Sequence, residues 1–131
     1  MKFNKIHHIA IISSNYEKSK EFYTKILGLE VIREVYRVER DSYKLDLKLG
    51  DSEIELFSFP NPPKRVSRPE ACGLRHLAFE IDDIEDTVKY LISYGVDVEP
   101  IRIDEFTERR FTFFKDPDGL PLELYERVNI S

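Results

Sequence analysis

The sequence predicts an α+β fold in which one βαβββ module occurs twice in tandem. The strand-like stretches HIAI (8–11) and HLAF (76–79) lie 68 positions apart, and so do IELF (54–57) and LELY (122–125). A helix-forming segment and two more strand-like runs lie between the members of each pair. Similarity at one fixed offset is typical of a duplicated supersecondary unit, so the two halves are expected to share one topology.

Each module is expected to place one amphipathic helix after its first strand. Residues 16–27 carry apolar side chains on one face at helical spacing, and residues 84–94 repeat the same offsets. Asn15 is a suitable N-cap for the first helix, and Asp82 or Asp83 for the second. Gly28 and Gly95 are suitable C-terminal stops.

Three strands are expected after each helix. In the first half the runs 29–38 and 43–49 precede IELF, and in the second half the runs 96–103 and 110–115 precede LELY. The last hairpin is expected to turn through DPDG at 116–119, where Pro and Gly suit a tight turn. The proline-rich stretch before Gly73 reads as a linker. We therefore predict one domain over 1–131, with modules at 5–60 and 74–128 and a linker at 61–73.

Composition restricts the class of partner. A formal net charge of -5 argues against a nucleic-acid or anionic-membrane surface, both of which require clustered positive charge. No apolar run is long enough to span a membrane, and a single cysteine excludes an internal disulfide and cysteine-based metal motifs. We expect a soluble cytoplasmic protein with a small-molecule substrate, with no nucleic-acid and no membrane partner.

Four polar residues at repeat-related positions are the candidate metal ligands. Side chains alternate between the two faces of a strand, so the apolar residues of HIAI, HLAF, IELF and LELY point toward the helices and the polar ones toward the opposite face. Imidazole and carboxylate together suit Zn²⁺, Ni²⁺, Co²⁺ or Fe²⁺, and the lack of thiolates argues against a closed structural zinc site. His7 aligns with Arg75 and is expected to be a surface residue. The predicted ligands are His8, Glu55, His76 and Glu123.

The chain resembles the glyoxalase I / vicinal oxygen chelate superfamily over nearly its whole length. The resemblance rests on HHIAI, EFYTKILGLE, IELF, GLRHLAFEI and DPDGLPLEL. It implies tandem βαβββ modules forming a cupped mixed sheet, the glyoxalase/bleomycin resistance/dioxygenase fold, around a divalent metal. It also implies a homodimer, and it matches the four predicted ligands to those of glyoxalase I. Zn, Ni or Co is the expected ion, with Fe or Mn as further alternatives.

The resemblance implies a lactoylglutathione lyase-like activity, a carbon–sulfur lyase for methylglyoxal detoxification. The hemithioacetal of a 2-oxoaldehyde would be converted through a metal-bound enediolate. Glu123 would act as the base that moves the proton, with Glu55 as its symmetric counterpart. Fosfomycin-resistance transferases of the superfamily lack the early carboxylate, so Glu55 favours glyoxalase-type chemistry.

The identity of the thiol and some alternatives stay open. Ile12 and Phe59 stand where glutathione-using members have an arginine and an asparagine. Other substrates, an epimerase, a thiol transferase, or a drug-binding module without catalysis remain possible on the sequence alone. The candidate pocket residues are Phe57, Phe59, Arg37 and Arg110.

Overall fold

The structure, a computed structural model, describes residues 1–128. The chain divides into two compact units, the first covering Met1–Lys64 and the second beginning at Arg65. Each unit contains one four-stranded mixed sheet and one main helical segment. Within residues 1–128 no helix is long and apolar enough to cross a membrane.

The first unit has the order βαβββ. Its sheet order is β1-β4-β3-β2, with β1 parallel to β4 and the other neighbours antiparallel. A π-helical segment, Phe22–Ile26, continues α1, and a single 3₁₀ turn, Val38–Arg40, joins β2 to β3. The elements are β1 His8–Ser13, α1 Tyr16–Glu21, β2 Glu30–Arg37, β3 Ser42–Leu49 and β4 Ser52–Ser58.

The second unit repeats this topology, which confirms the predicted duplication. Its sheet order is β5-β8-β7-β6, and again the first strand runs parallel to the last one. Ala10 pairs with Glu55 in the first sheet, and Ala78 pairs with Glu123 in the second. The elements are β5 Leu77–Ile81, α2 Ile84–Ser93, β6 Arg102–Ile103, β7 Arg110–Lys115 and β8 Pro121–Glu126.

The buried face of each sheet is the one that alternation predicts. Leu45, Leu47, Ile54 and Leu56 are fully buried in the first unit together with Tyr23 from the helical segment. In the second unit the most buried apolar residues include Ile84, Leu91, Leu122 and Leu124. The polar members of β4 and β8 consequently lie on the opposite face.

The N-cap hydrogen bond of the first helix is repeated at the start of the second helix. Asn15 Oδ1 accepts a hydrogen bond from the Lys18 amide at 3.2 Å, and Asp83 Oδ1 accepts one from the Asp86 amide at 3.0 Å. Of the two predicted aspartates, Asp83 is therefore the N-cap of α2. These side chains satisfy amides that the first helical turn leaves without a backbone acceptor.

The prediction of one regular helix over 16–27 needs correction. The α-helix ends at Glu21, and the following turn is wider, with the Leu27 amide bonded to the Phe22 carbonyl at 2.9 Å. The Thr24 hydroxyl donates to the Lys20 carbonyl at 2.6 Å. Such a side-chain bond competes with the regular backbone pattern.

The predicted strand over 96–103 is also too long, because only Arg102–Ile103 forms regular pairs with β7. Pro100 has no amide hydrogen to donate to a ladder. The chain still lies beside β7, where the Glu99 amide donates to the Phe113 carbonyl and the Thr112 hydroxyl donates to the Glu99 carbonyl.

The DPDG segment forms the predicted turn before β8. The Asp116 carboxylate accepts hydrogen bonds from the amides of Asp118 and Leu120, both at 2.9 Å. Gly119 has φ +83°, a conformation that favours glycine. This turn fixes the start of β8 and therefore which face carries Glu123.

Candidate metal-binding and active site

The first sheet brings His8 and Glu55 together. Ala10 is the ladder partner of Glu55, and His8 lies two residues earlier on the same face of β1. His8 Nδ1 is 3.6 Å from Glu55 Oε2. The same imidazole nitrogen lies 2.9 Å from Nδ1 of His7, a hydrogen-bond distance at which the tautomers decide which nitrogen donates.

The second sheet brings His76 and Glu123 together in the same way. His76 immediately precedes β5 and lies two residues before Ala78, the ladder partner of Glu123. His76 Nε2 is 3.3 Å from Glu123 Oε1. The duplicated topology thus reproduces a histidine–glutamate pair in each unit.

The four predicted ligands are found as two pairs. In the part of the chain that the structure describes, no group of three or more His, Cys, Asp or Glu side chains is gathered in a way that could hold a metal ion. Glu55 and Glu123 are largely buried, with side chains 14% and 12% exposed, whereas both histidines are more accessible. The gathering of all four around one ion stays a prediction.

Charged side chains surround Glu55. Lys44 Nζ lies 3.8 Å from Glu55 Oε2 and 2.7 Å from Asp46 Oδ1, and Asp46 is the ladder partner of Glu55. Arg33 Nη2 contacts Asp46 Oδ2 at 3.0 Å. Burial raises the pKa of Asp46, but the hydrogen bonds from Lys44 and Arg33 outweigh it, so the net shift of the pKa is downward.

Aromatic side chains surround Glu123. Its ladder partner is Phe113, whose ring packs edge-on against the His76 ring with the centroids 5.1 Å apart. Tyr125, two residues along β8, stacks on Phe111. Burial raises the pKa of the Glu123 carboxyl above its ordinary value, although the charge of His76 opposes this shift.

Three of the four predicted pocket residues meet in the first unit. The rings of Phe57 and Phe59 are stacked with centroids 6.0 Å apart, and the Arg37 guanidinium carbon lies 4.8 Å from the Phe57 centroid and 5.6 Å from that of Phe59. Phe57 follows Glu55 by two residues on β4, so both side chains lie on the same face.

Arg110, the fourth predicted pocket residue, is engaged elsewhere. It binds the Glu126 carboxylate through two hydrogen bonds of 2.9 Å and contacts Glu85 of α2 at 3.1 Å. Because Phe111 and Phe113 share the face of Glu123, Arg110 lies on the helix-covered face of β7. Its position therefore indicates a structural role in joining α2 to the sheet.

Sequence reasoning missed Lys44, Asp46 and Phe113 as neighbours of the two glutamates. The alternation of side chains along β3 and β7 could have indicated them, because it places Lys44 and Asp46 on one face of β3 and Phe113 on one face of β7. Only the cross-strand register shows which of them stands opposite each glutamate.

A model of the Glyoxalase/Bleomycin resistance protein/Dioxygenase superfamily matches residues 5–124. The chain belongs to this superfamily. It is 63% identical to YaeR of Escherichia coli over 93% of this chain and 95% of that protein. The crystal structure of a glyoxalase family protein from Enterococcus faecalis is 53% identical, with a TM-score of 0.90 over 96% of this chain and 100% of that one.

A more distant relative is the metallothiol transferase FosB of Staphylococcus epidermidis. It is 32% identical over 92% of this chain and 81% of that protein. Members of the superfamily typically use divalent metals, commonly form dimers and bind small molecules. The donor atoms in this superfamily member, one imidazole nitrogen and one carboxylate in each unit, suit such an ion.

Proposed function

We propose that this protein is a metal-dependent glyoxalase I-like lyase acting on the hemithioacetal of a methylglyoxal-type 2-oxoaldehyde. The observation that carries the proposal is the pair of repeat-related His–Glu contacts, 3.6 Å and 3.3 Å long, within chemically different surroundings. Two identical His–Glu pairs would be enough to bind a metal ion. Proton transfer additionally requires one carboxylate that can accept the substrate proton while the other remains bound to the ion.

In this proposal His8, Glu55, His76 and Glu123 hold the divalent ion, and Zn, Ni or Co are the leading choices. When bound, the ion supplies a Lewis acid that polarises the substrate oxygens and stabilises the negative charge that develops on them. The two pairs come from one chain or from two chains of a homodimer. Members of the superfamily commonly form dimers, which supports a site shared between two chains. The proposal also includes a cytoplasmic location.

Glu123 is the residue proposed to move the proton. Its carboxylate takes the proton from C1 of the hemithioacetal and returns it to C2, which yields a 2-hydroxy thioester without any change in the number of atoms or electrons. Phe113 and the largely buried position of Glu123 slow the exchange of the transferred proton with water without preventing it.

Glu55 is proposed to remain a ligand throughout. The Lys44 ammonium forms an ion pair with the Glu55 carboxylate at 3.8 Å, which restrains this side chain on the first sheet. Lys44 is itself anchored by buried Asp46, so it does not swing freely. The repeat thus supplies two similar ligands, and their neighbours determine which one serves as the base.

The deciding experiment is the metal content of tag-free protein purified without chelator, before and after loading with Ni²⁺, Zn²⁺ or Co²⁺. We expect one tightly held ion per chain, lost on His76→Ala or Glu123→Ala. Glu85→Ala is the control, because Glu85 is an exposed glutamate of α2 that contacts Arg110, and it should keep the ion. Wild-type protein that binds none of the three ions would contradict the proposal.

A thiol transferase is the second candidate, and the FosB relative favours it. Such an enzyme joins a thiol to an electrophile and requires no exchange of a carbon-bound proton. Solvent deuterium appearing at C2 of the product only when thiol is present would support the lyase. Exchange next to a carbonyl without thiol would indicate an epimerase, and metal-independent ligand binding without turnover would indicate a binding module.

A further inference from the structure

Arg37, the last residue of β2, is held in place by contacts of two kinds. Its guanidinium lies over the stacked rings of Phe57 and Phe59. Its Nη2 donates to the hydroxyl of fully buried Ser42 at 2.8 Å. Cation–π contact and a hydrogen bond together fix the orientation of the planar donor group.

The positive charge of Arg37 has no carboxylate partner within ion-pair distance among residues 1–128. Its Nε is buried and has no hydrogen-bond partner in the described structure. Other arginines of the sheets are paired, Arg33 with Asp46 and Arg110 with Glu126. A partly buried cation that lacks a counterion is unfavourable, which suggests that its counterion comes from outside the chain.

Arg37 lies on the same face of the first sheet as Glu55, close to the proposed reaction site. Its ladder partner is Ser42, which lies two residues before Lys44 on β3. Lys44 is in turn the ladder partner of Phe57. Two residues along a strand span about 6.6 Å, so Phe57 stands that distance from Glu55 on the same face. Ile12, paired with Phe57 and 55% exposed, adds an apolar surface beside it.

We propose that Arg37 binds an oxyanion, a carboxylate or phosphate group, carried by the substrate of this site. Phe57, Phe59 and Ile12 contact the apolar part that connects this group to the reacting carbons. The inference rests on the proposed function for the position of the reacting end. It specifies the substrate class as a hemithioacetal whose thiol or aldehyde part bears an anionic group.

The first test is an anion titration followed by heteronuclear NMR of the arginine Nε–Hε resonances of the full-length protein as purified. Inorganic phosphate and acetate are the probes, with acetamide and chloride at equal ionic strength as neutral and non-specific controls. We expect a saturable shift of the Arg37 resonance with phosphate or acetate, and none with acetamide. An equal response to chloride, or no saturable response to either oxyanion, would overturn the inference.

The matched control uses the corresponding arginine of the second unit. Arg102 lies over Phe111 and Phe113 at 5.0 and 5.7 Å, but it is paired with Glu99 at 3.3 Å. Arg37→Gln should weaken anion binding by at least about tenfold, as expected for the loss of a charge-assisted hydrogen bond. Arg102→Gln should leave it unchanged. Arg37→Lys keeps the charge without the planar fork and should also bind more weakly, whereas equal binding in all variants would refute the assignment.

A kinetic test separates this inference from the proposed function. Hemithioacetals of mercaptopropionate and of its neutral amide form a matched pair of substrates. Arg37→Gln should raise KM about tenfold for the charged member with little change in kcat, and should leave KM of the amide unaltered. Equal changes for both members would refute the role of Arg37. If wild-type protein converts neither substrate, the proposed function fails, while the NMR titration still decides whether Arg37 binds oxyanions.

Discussion

The ammonium nitrogen of Lys44 lies 3.8 Å from Oε2 of Glu55. In the second sheet the equivalent ladder position, opposite Tyr125 as Lys44 is opposite Phe57, is occupied by Phe111. At equivalent ladder positions, one of the two repeat-related carboxylates therefore has a lysine ammonium within 4 Å, whereas the other has a phenylalanine ring. This difference, which the repeat alone does not reveal, is the basis for assigning them different roles.

Glu123→Gln should lower the rate of proton transfer by roughly 100-fold to 10,000-fold, the usual contribution of a general base. The amide oxygen can still contact an ion, whereas the neutral side chain cannot accept the substrate proton. The measurement is solvent-deuterium incorporation at C2 together with a circular dichroism spectrum that verifies the fold. A variant with full activity would refute the role of Glu123.

Lys44→Met should destabilise the protein by about 1–3 kcal/mol, because buried Asp46 would keep only its contact with Arg33. Lys48→Met is the matched control, since Lys48 is an exposed lysine of the same strand, and it should change the free energy of unfolding by less than about 0.5 kcal/mol. Urea denaturation measures both values. Equal stability of the two variants would show that Lys44 does not stabilise Asp46.

Asn15→Ala and Asp83→Ala should each cost about 1 kcal/mol of folding free energy through loss of the N-cap hydrogen bond. Asp82→Ala is the control for the second helix, because the side chain of Asp82 is 87% exposed and does not cap α2. Its expected effect is within about 0.5 kcal/mol. A larger loss for Asp82→Ala than for Asp83→Ala would contradict the observed cap.

Glu126 should contribute to acid sensitivity. Hydrogen bonds from Arg110 lower its pKa below the ordinary value of 4.5, against the opposing effect of burial. A carboxyl with a lowered folded-state pKa stabilises the protein above its unfolded pKa, and this contribution is lost as the pH falls through the folded value. Glu126→Gln should therefore be less stable at neutral pH and should show a shallower loss of stability below about pH 4.5.

Urea midpoints measured from neutral pH to about pH 3 test this prediction directly. The wild-type and Glu126→Gln curves should converge at the acid end, since protonated Glu126 no longer accepts the charge-assisted bonds from Arg110. Curves that run parallel over the whole range would show that Glu126 does not contribute to the pH dependence.

Much of the architecture could be predicted from local patterns. Alternation placed Glu55 and Glu123 on the faces opposite the buried leucines, and the repeat related the two glutamates by a single offset. The caps at Asn15 and Asp83 and the DPDG turn follow from short-range chemistry, because each depends on residues only a few positions apart.

Other features depended on residues far apart in the chain. Arg37 and Arg110 were both predicted to line the pocket, because each is an arginine on a predicted strand. In the structure Arg37 lies over Phe57, whereas Arg110 binds Glu126. Strand register and the face to which each side chain points decide that difference, and both result from packing against non-local partners.

The sequence by itself determined the duplicated βαβββ order and the four candidate ligands, because hydrophobic periodicity and the repeat are visible in the chain. Tertiary structure decided that β6 is short, that Lys44 faces Glu55 and that Arg37 lacks a counterion within the described residues. These outcomes depend on cross-strand distances of a few ångströms, and such distances exist only after the strands have paired.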